Sequence, residues 1–436
     1  MRLVQQQPSK ARRKTISCPT QIQDLKTLDI RGVKVQYDCN SMKLWELENG
    51  EMAPKPEVGM HKPQVPLSCS TACTYLILNV AHGCNLKCTY CFASTYNRTP
   101  VMSPALAQEV VTKMFRPRDP IKMGFFGGEP LMAWDTIVST VEFVKQLAKA
   151  REVKYSFHVT TNGTLLDKKK AKFLADNNFS VLVSVDGPEA LHNETRPMKN
   201  GDNSFEHTME GLEHLRACHA RSVALRGSFT PSNMQLLKRV KFAQNLVDKG
   251  YAKSYSIEPV SGSEGNVPGK EYRFTREGLE KEFGQVSKWF LERLEAGKKT
   301  PFFYYTKLLN RVMFRAPQVT ECGAGKGYLT VNPVGEIFAC HREEGTHIGH
   351  IRLGIDEQLR LPWLENRIFR SAECMKCWAR YICGGGCRQI KAERGISLNS
   401  PDTERCQIMT TIARECLWIA ASMSSAAAAK YGGNPH

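Results

Sequence analysis

Between Tyr75 and about Val260 the apolar positions switch repeatedly between short β-rich runs and longer runs of helical spacing, the pattern left by alternating βα units. The β-rich runs predict strands at Tyr75 to Val80, Lys122 to Phe126, Tyr155 to Thr160, Val181 to Val185, Val223 to Phe229 and Ser254 to Glu258. One helix opens at Ser103 as N-cap, with Pro104 in the first turn and Leu106, Val110, Val111 and Met114 on one face. A second begins near Asp135 and carries Ile137, Val141, Val144 and Leu147. A third follows Ser232, shows Leu236, Leu237, Val240 and Ala243, and stops at Gly250, because glycine commonly ends helices. Six strands with intervening helices predict an α/β fold, a partial (β/α)6 TIM-like barrel rather than a closed eightfold one.

The flanks read differently. Residues 1–30 are polar and basic, without a period, and predict an arm; Val33 to Tyr37 and Leu44 to Leu47 around a turn predict a hairpin. From Met52 to Pro66 four prolines, which neither donate to a ladder nor continue a helix, predict a linker. Thr275 to about Lys299 reads as a helix, and beyond Glu321 cysteines and glycines punctuate short segments. Ala426 to Ala429 predict an unstructured or helical tail. The expected division is 1–70 for the N-terminal arm, hairpin and linker, 71–300 for the barrel, 301–420 for a cysteine-rich domain and 421–436 for a tail.

Composition narrows the class. Apolar residues at 42% and charged residues at 24% of 436 argue against long disorder. No apolar run approaches the roughly 18 residues of a membrane span, and no apolar segment follows the basic N-terminus, so no export signal is expected and the reading is cytoplasmic. Sixteen cysteines in a reducing compartment point to metal ligation before disulfides. A net charge of +17 suits nucleic acid, an acidic peptide or an acidic electron-transfer partner.

Cys84, Cys88 and Cys91 stand in HGCNLKCTYCFAS, a C-x3-C-x2-C arrangement just after the first predicted strand. Three thiolates in one loop can hold three irons of a four-iron, four-sulfur cluster and leave the fourth open to a small molecule. On spacing alone, a zinc loop or three incidental thiols is the rival reading. Gly127-Gly128-Glu129-Pro130 closes the second strand; adjacent glycines bring backbone acceptors close to a cationic ammonium, and Glu129 adds charge. Thr161-Asn162-Gly163 and Ser184-Val185-Asp186-Gly187 follow the third and fourth strands, where barrel active sites gather, although ordinary turns read the same way.

With Tyr90 before its last cysteine, this motif resembles that of the radical S-adenosylmethionine (radical SAM) superfamily, and the GGEP string resembles that family's segment for the SAM amino group. The resemblance implies that SAM chelates the open iron. One electron would then cleave it to methionine and a 5′-deoxyadenosyl radical that abstracts a substrate hydrogen. It implies Gly127, Gly128, Glu129 and Pro130 at the SAM site, with Asn162, Ser184 and Arg196 as neighbours. His192 and Asn193, in HNETR, are similar to the family's HDxxR with Asn in place of Asp, and take no role.

The C-terminal pattern is Cys322, Cys340, Cys374-x2-Cys377-x5-Cys383-x3-Cys387 and Cys406. This order resembles the SPASM domain of radical SAM enzymes that act on peptides or proteins. It implies two auxiliary four-iron clusters, one on Cys374, Cys377, Cys383 and Cys406, the other, nearer the barrel, on Cys322, Cys340 and Cys387. With the first motif, three 4Fe-4S clusters and SAM are the expected cofactors. A zinc site on Cys374 to Cys387 leaves Cys322, Cys340 and Cys406 unexplained. Family members often have a further cysteine close after the first; here Gly323, Ala324 and Gly325 follow, so the nearer cluster is expected to have an open iron or a ligand from elsewhere, such as Glu321 or an unassigned thiol.

The resemblance implies a maturase that modifies a ribosomally synthesised precursor peptide by a cross-link, a thioether among the candidates. Cys340-His341-Arg342 resembles the CHR segment of such maturases, which makes His341 a candidate proton acceptor; sulfatase-maturing relatives carry an acid there, and a sulfatase-maturase-like enzyme is the alternative. An iron-sulfur electron carrier or a zinc or nucleic-acid-binding protein does not explain the GGEP string beside an open-site cluster, and the sequence shows no RNA-stacking or DNA-binding motif. Expected partners are a precursor peptide with its leader, an acidic flavodoxin or ferredoxin as reductant, and either weak leader binding at the hairpin or a separate leader-binding protein.

Overall fold

The structure, a computed structural model, describes residues 25–39, 41–48, 51–54, 72–95, 99–260, 272–343, 345–365 and 368–432. The arm over 1–24 and most of the proline-rich linker, 55–71, lie outside the described residues.

An antiparallel meander comes first, β1 (Leu25–Ile30), β2 (Val33–Asp38), β3 (Leu44–Glu48) and β4 (Glu51–Pro54), paired in that order. The predicted hairpin is its middle. Two expectations are corrected here: the end of the arm is β1, and the start of the linker is β4. The β1–β2 turn is Arg31-Gly32, both with positive φ (55° and 82°), as a two-residue hairpin requires. Arginine is an uncommon occupant of that region, which hid the turn. Its side chain accounts for the choice: Nη1 donates to the Gly284 carbonyl at 2.7 Å, Nη2 pairs with Glu415 at 2.9 Å, and the guanidinium lies 3.8 Å from the Trp418 ring centre.

Next come β5 (Tyr75–Ala81), α1 (Pro104–Met114), β6 (Ile121–Gly127), α2 (Trp134–Arg151), β7 (Tyr155–Thr161), α3 (Lys168–Asp176), β8 (Ser180–Ser184), α4 (Glu189–Thr195), α5 (Ser204–Ala217), β9 (Ser222–Phe229), α6 (Leu236–Asp248) and β10 (Ser254–Pro259). Strands β5 to β10 are parallel neighbours in sequence order, the predicted partial barrel. Side chains alternate across each strand. On β9 Val223, Leu225 and Phe229 are buried under the helices, while Ala224, Arg226 and Ser228 on the other face stay accessible. On β7 Ser156, His158 and Thr160 do the same. The concave face is therefore polar and open.

Helices α7 (Arg276–Glu295) and α8 (Phe303–Met313) lead into β11 (Tyr328–Val331), β12 (Glu336–Phe338), β13 (His347–His350) and β14 (Gly354–Ile355). Strand β11 pairs in parallel with β5, Leu329 beside Leu76, so the cysteine-rich region extends the barrel sheet to ten strands among the described residues. After it come α9 (Glu357–Glu365), α10 (Ala372–Lys376), α11 (Arg380–Cys383), α12 (Arg388–Glu393), α13 (Thr403–Ser422) and α14 (Ser425–Gly432). The alanine run is helical, the second of the two forms expected, and packs on the body: Ala427, Ala428 and Tyr431 are buried, and the Tyr431 hydroxyl donates to Asn310 Oδ1 at 2.5 Å. No described helix is long and apolar enough to cross a membrane.

Candidate active site

The loop from Cys84 to Cys91 leaves the C-terminal end of β5 and is held along its length by the segment after α4. Lys87 and Thr89 N–H groups donate to the carbonyls of Pro197 and Thr195 at 2.9 and 3.0 Å, and Lys199 N–H donates to the Asn85 carbonyl at 3.0 Å. All three thiols are partly exposed. Desolvation pushes Cys88 up to about 12 and Cys84 up to about 11, and charge on the other two cysteines of the loop would push Cys88 further. The Cys84 and Cys88 thiols therefore stay protonated until a cation takes them.

The GGEP glycines serve a close approach of backbones. A Cβ on Gly127 would stand 2.1 Å from the Ala81 carbonyl oxygen and one on Gly128 2.2 Å from that of Gly83. In their place, Gly128 and Glu129 N–H groups donate to those two carbonyls at 2.7 and 2.8 Å. Pro130 opens a short buried turn. The Glu129 carboxylate, expected to offer charge to a ligand, is fully buried and accepts from Thr161 Oγ1 (2.7 Å), Asn162 N–H (2.8 Å) and Leu131 N–H (3.0 Å). It ties β6 to the end of β7. Desolvation raises its pKa to about 7 despite those donors.

Asn162 reaches the loop: its Nδ2 donates to Asn85 Oδ1 at 2.9 Å and lies 3.8 Å from Cys84 Sγ. Ser184 is the last residue of β8 and half-buried, in register with Arg226. Arg196 is paired with Asp186, Nε to Oδ1 at 3.0 Å, and lies 5.4 Å from the Tyr90 ring centre. Asp186, quoted in a turn and given no role by its sequence, is fully buried and accepts from Tyr90 Oη (2.6 Å), Thr195 Oγ1 (2.7 Å) and Ser228 N–H (2.8 Å). A charged residue at the apolar end of a strand was the available signal.

On the far side of the mouth stands the segment after Cys340. His341 packs edge-on against Phe126 at 4.5 Å between ring centres, and Tyr328 Oη bonds its Nδ1 at 2.5 Å. Desolvation first, then the charges of Arg226 and Arg342, lower its pKa to about 3. His341 is thus a neutral imidazole engaged by a tyrosine rather than an accessible base. Arg342 lies 4.9 Å from the centre of Phe92, the residue after Cys91. Glu343, buried and at φ 61°, accepts from Asn79 Nδ2 and lies 3.1 Å from His82 Nε2, two residues before Cys84. The Cys340 segment therefore grips both flanks of the first cysteine loop. Asn79, an amide within an apolar strand, was the one trace of this in the sequence.

The seven C-terminal thiols fall into two neighbourhoods. Cys340 lies near Cys387 and Cys322, whereas Cys406 lies near Cys374 and Cys377, and Cys383 lies near Cys406. Desolvation pushes Cys340 and Cys383 up to about 12. Glu321 is paired with Lys307 at 2.9 Å and lies near Cys383 rather than in the Cys340 group. Among the described residues no three His, Cys, Asp or Glu side chains converge as one metal ion would need. A cubane takes one thiolate per iron, so thiols gathered into groups without converging on one point fit such a cluster.

The Radical SAM superfamily profile matches residues 78–227. The radical SAM cyclopropyl synthase TigE of Paramaledivibacter caminithermalis is 23% identical over 376 residues, 78% of this chain and 73% of its own. The cysteine-type anaerobic sulfatase-maturating enzyme of Clostridium perfringens strain 13 is 24% identical, over 74% of this chain and 92% of its own. A solved structure, tagged anSMEcpe with bound AdoMet, superposes with a TM-score of 0.67 at 21% identity, over 84% of this chain and all of that one. Residues 78–227, which hold the cysteine loop and the ends of β6, β7 and β8, thus match the radical SAM superfamily, and the chain is similar to maturases that carry such a domain.

Proposed function

We propose that the chain modifies a ribosomally synthesised precursor peptide, joining two of its residues by a cross-link. One observation carries this reading: the Cys340 segment and the first cysteine loop meet at one mouth of the barrel, above an open polar concave face. A site for hydrogen abstraction and a site for electron uptake would then share one substrate chamber. Bound together, a 4Fe-4S cluster and SAM supply hydrogen-atom abstraction from carbon. Cys84, Cys88 and Cys91 would hold that cluster, and Gly127, Gly128, Asn162, Ser184 and Arg196 would surround SAM. Pro130 fixes the turn below them, and Glu129 braces β6 against β7. Phe92, Phe126 and Tyr328 pack their rings around His341.

Two auxiliary clusters, on Cys322, Cys340 and Cys387 and on Cys374, Cys377, Cys383 and Cys406, complete the reading. With three cysteines, the nearer one would offer a substrate thiolate a place, which favours a thioether. The leader would add a strand at an edge of the N-terminal meander, or a helper protein would present it; an acidic flavodoxin or ferredoxin would supply electrons to this basic chain.

Co-expression with small peptides encoded beside the gene tests the proposal. A peptide lighter by two hydrogens, with a cysteine that no longer alkylates, is expected. A substrate whose cysteines all alkylate overturns the thioether. An aldehyde at a single Ser or Cys of a sulfatase would instead support the sulfatase-maturase alternative, against which the neutral, engaged His341 speaks.

A further inference from the structure

Asp186 is a buried carboxylate with more partners than a turn needs. Its oxygens accept from Tyr90 in the cysteine loop, from Thr195 at the end of α4 and from the Ser228 N–H of β9, and face the guanidinium of Arg196. Its backbone carbonyl takes Arg239 Nη1 at 2.7 Å. Four elements therefore meet on one residue, beside the loop that gathers Cys84, Cys88 and Cys91. Burial opposes its charge, but Arg196, then His192 and the hydroxyl donors, outweigh burial and hold the carboxyl below its ordinary range.

Two polar atoms around it are left over. Arg196 Nε, in a side chain 11% exposed, is close to Asp186 but makes no hydrogen bond, and His192 Nε2, fully buried, has no hydrogen-bond partner among the described residues. A buried guanidinium that faces its counter-ion through Nε can turn its Nη donors toward an anion that arrives later.

We propose that Asp186 is the positioning residue of the SAM site: through Tyr90 it fixes the cysteine loop, and through its charge it holds Arg196 toward the carboxylate of SAM. Removing the charge leaves a buried guanidinium without its counter-ion, which then turns away. Removing the Tyr90 hydroxyl frees the loop while leaving the ion pair. This rests on SAM binding at the first cysteine loop and is independent of the identity of the peptide.

The experiment uses anaerobically reconstituted full-length protein, with iron content, SAM affinity by equilibrium dialysis, and the electron paramagnetic resonance spectrum of the reduced cluster before and after SAM. Asp186→Asn should keep its iron, bind SAM at least about tenfold more weakly and show a diminished spectral change on SAM addition. Tyr90→Phe should weaken SAM by about threefold or more, and the two together should lose less than the product of the separate losses, because they act through one contact. Thr195→Val, which takes one hydrogen bond from the same carboxylate and keeps the Thr195 carbonyl that holds Thr89 of the loop, should stay within about twofold. Unchanged affinity and spectrum in Asp186→Asn overturn the proposal. So does tighter binding, since Asp186 would then compete with SAM for Arg196, and so does an equal loss in Thr195→Val, which marks a structural role. Should Asp186→Asn fail to fold, Tyr90→Phe decides alone, and wild-type behaviour there overturns it. Wild-type protein that retains four irons on the first loop yet binds no SAM sinks the premise and leaves the peptide reading to its own test.

Discussion

At the scale of single residues, Gly128 is under a tight constraint. An alanine there meets a backbone carbonyl that cannot move without shifting the cysteine loop, so Gly128→Ala should cost roughly 3 kcal/mol or more, read from urea denaturation. Glu129 sets a pH dependence. Its folded pKa, about 7, exceeds the ordinary 4.5, so the folded state binds the extra proton and stability from this group is complete below about 4.5 and lost as pH rises through 7. The urea midpoint should fall across that window, and Glu129→Gln should flatten the fall; an unchanged slope would remove Glu129 as its source. Replacing Cys84, Cys88 and Cys91 together by Ala should remove about four irons and all SAM cleavage; full iron content in that variant would disprove the assignment. The cysteine motifs were legible because ligands recur at fixed spacing within one loop. The Asp186, Glu343 and His82 contacts were not, because their partners lie far apart in sequence and no local pattern marks them.

At the scale of elements, the parallel strands were legible within a residue or two, since each is a compact apolar run between helical stretches. Strand β1 was not, because Lys26, Thr27 and Asp29 interrupt it and its turn lacks Asn-Gly chemistry. What holds the meander is Arg31, reaching α7 and α13 at once. Arg31→Ala leaves Glu415 buried without this partner and should loosen the meander by roughly 1–3 kcal/mol, seen as faster proteolysis around residues 25–54 with the barrel intact. Ile30, Val35 and Tyr37 are buried, so deleting residues 1–60 would bare apolar surface as well as remove a leader edge. Leader binding is better tested by amide exchange on the full chain, where protection confined to β1 or β4 is expected on adding the leader peptide.

At the scale of the whole molecule, the ten cysteines proposed as ligands, in three groups, predict about twelve irons after reconstitution, and about eight would leave one of the three groups without its cluster. The joint of the two halves is the parallel pairing of β11 with β5. That joint fixes an order of events during synthesis. Strand β5 emerges early, yet its outer edge has no partner until the ribosome has made the chain as far as Tyr328. At about 5–20 residues per second this edge stays open for some tens of seconds, long enough for pairing with the wrong chain. A protein terminated at residue 320 should therefore accumulate as aggregate while the full chain stays in solution, and the deficit should shrink when translation is followed by a chaperone that shields strand edges. A monodisperse truncation would show that the barrel closes its own margin.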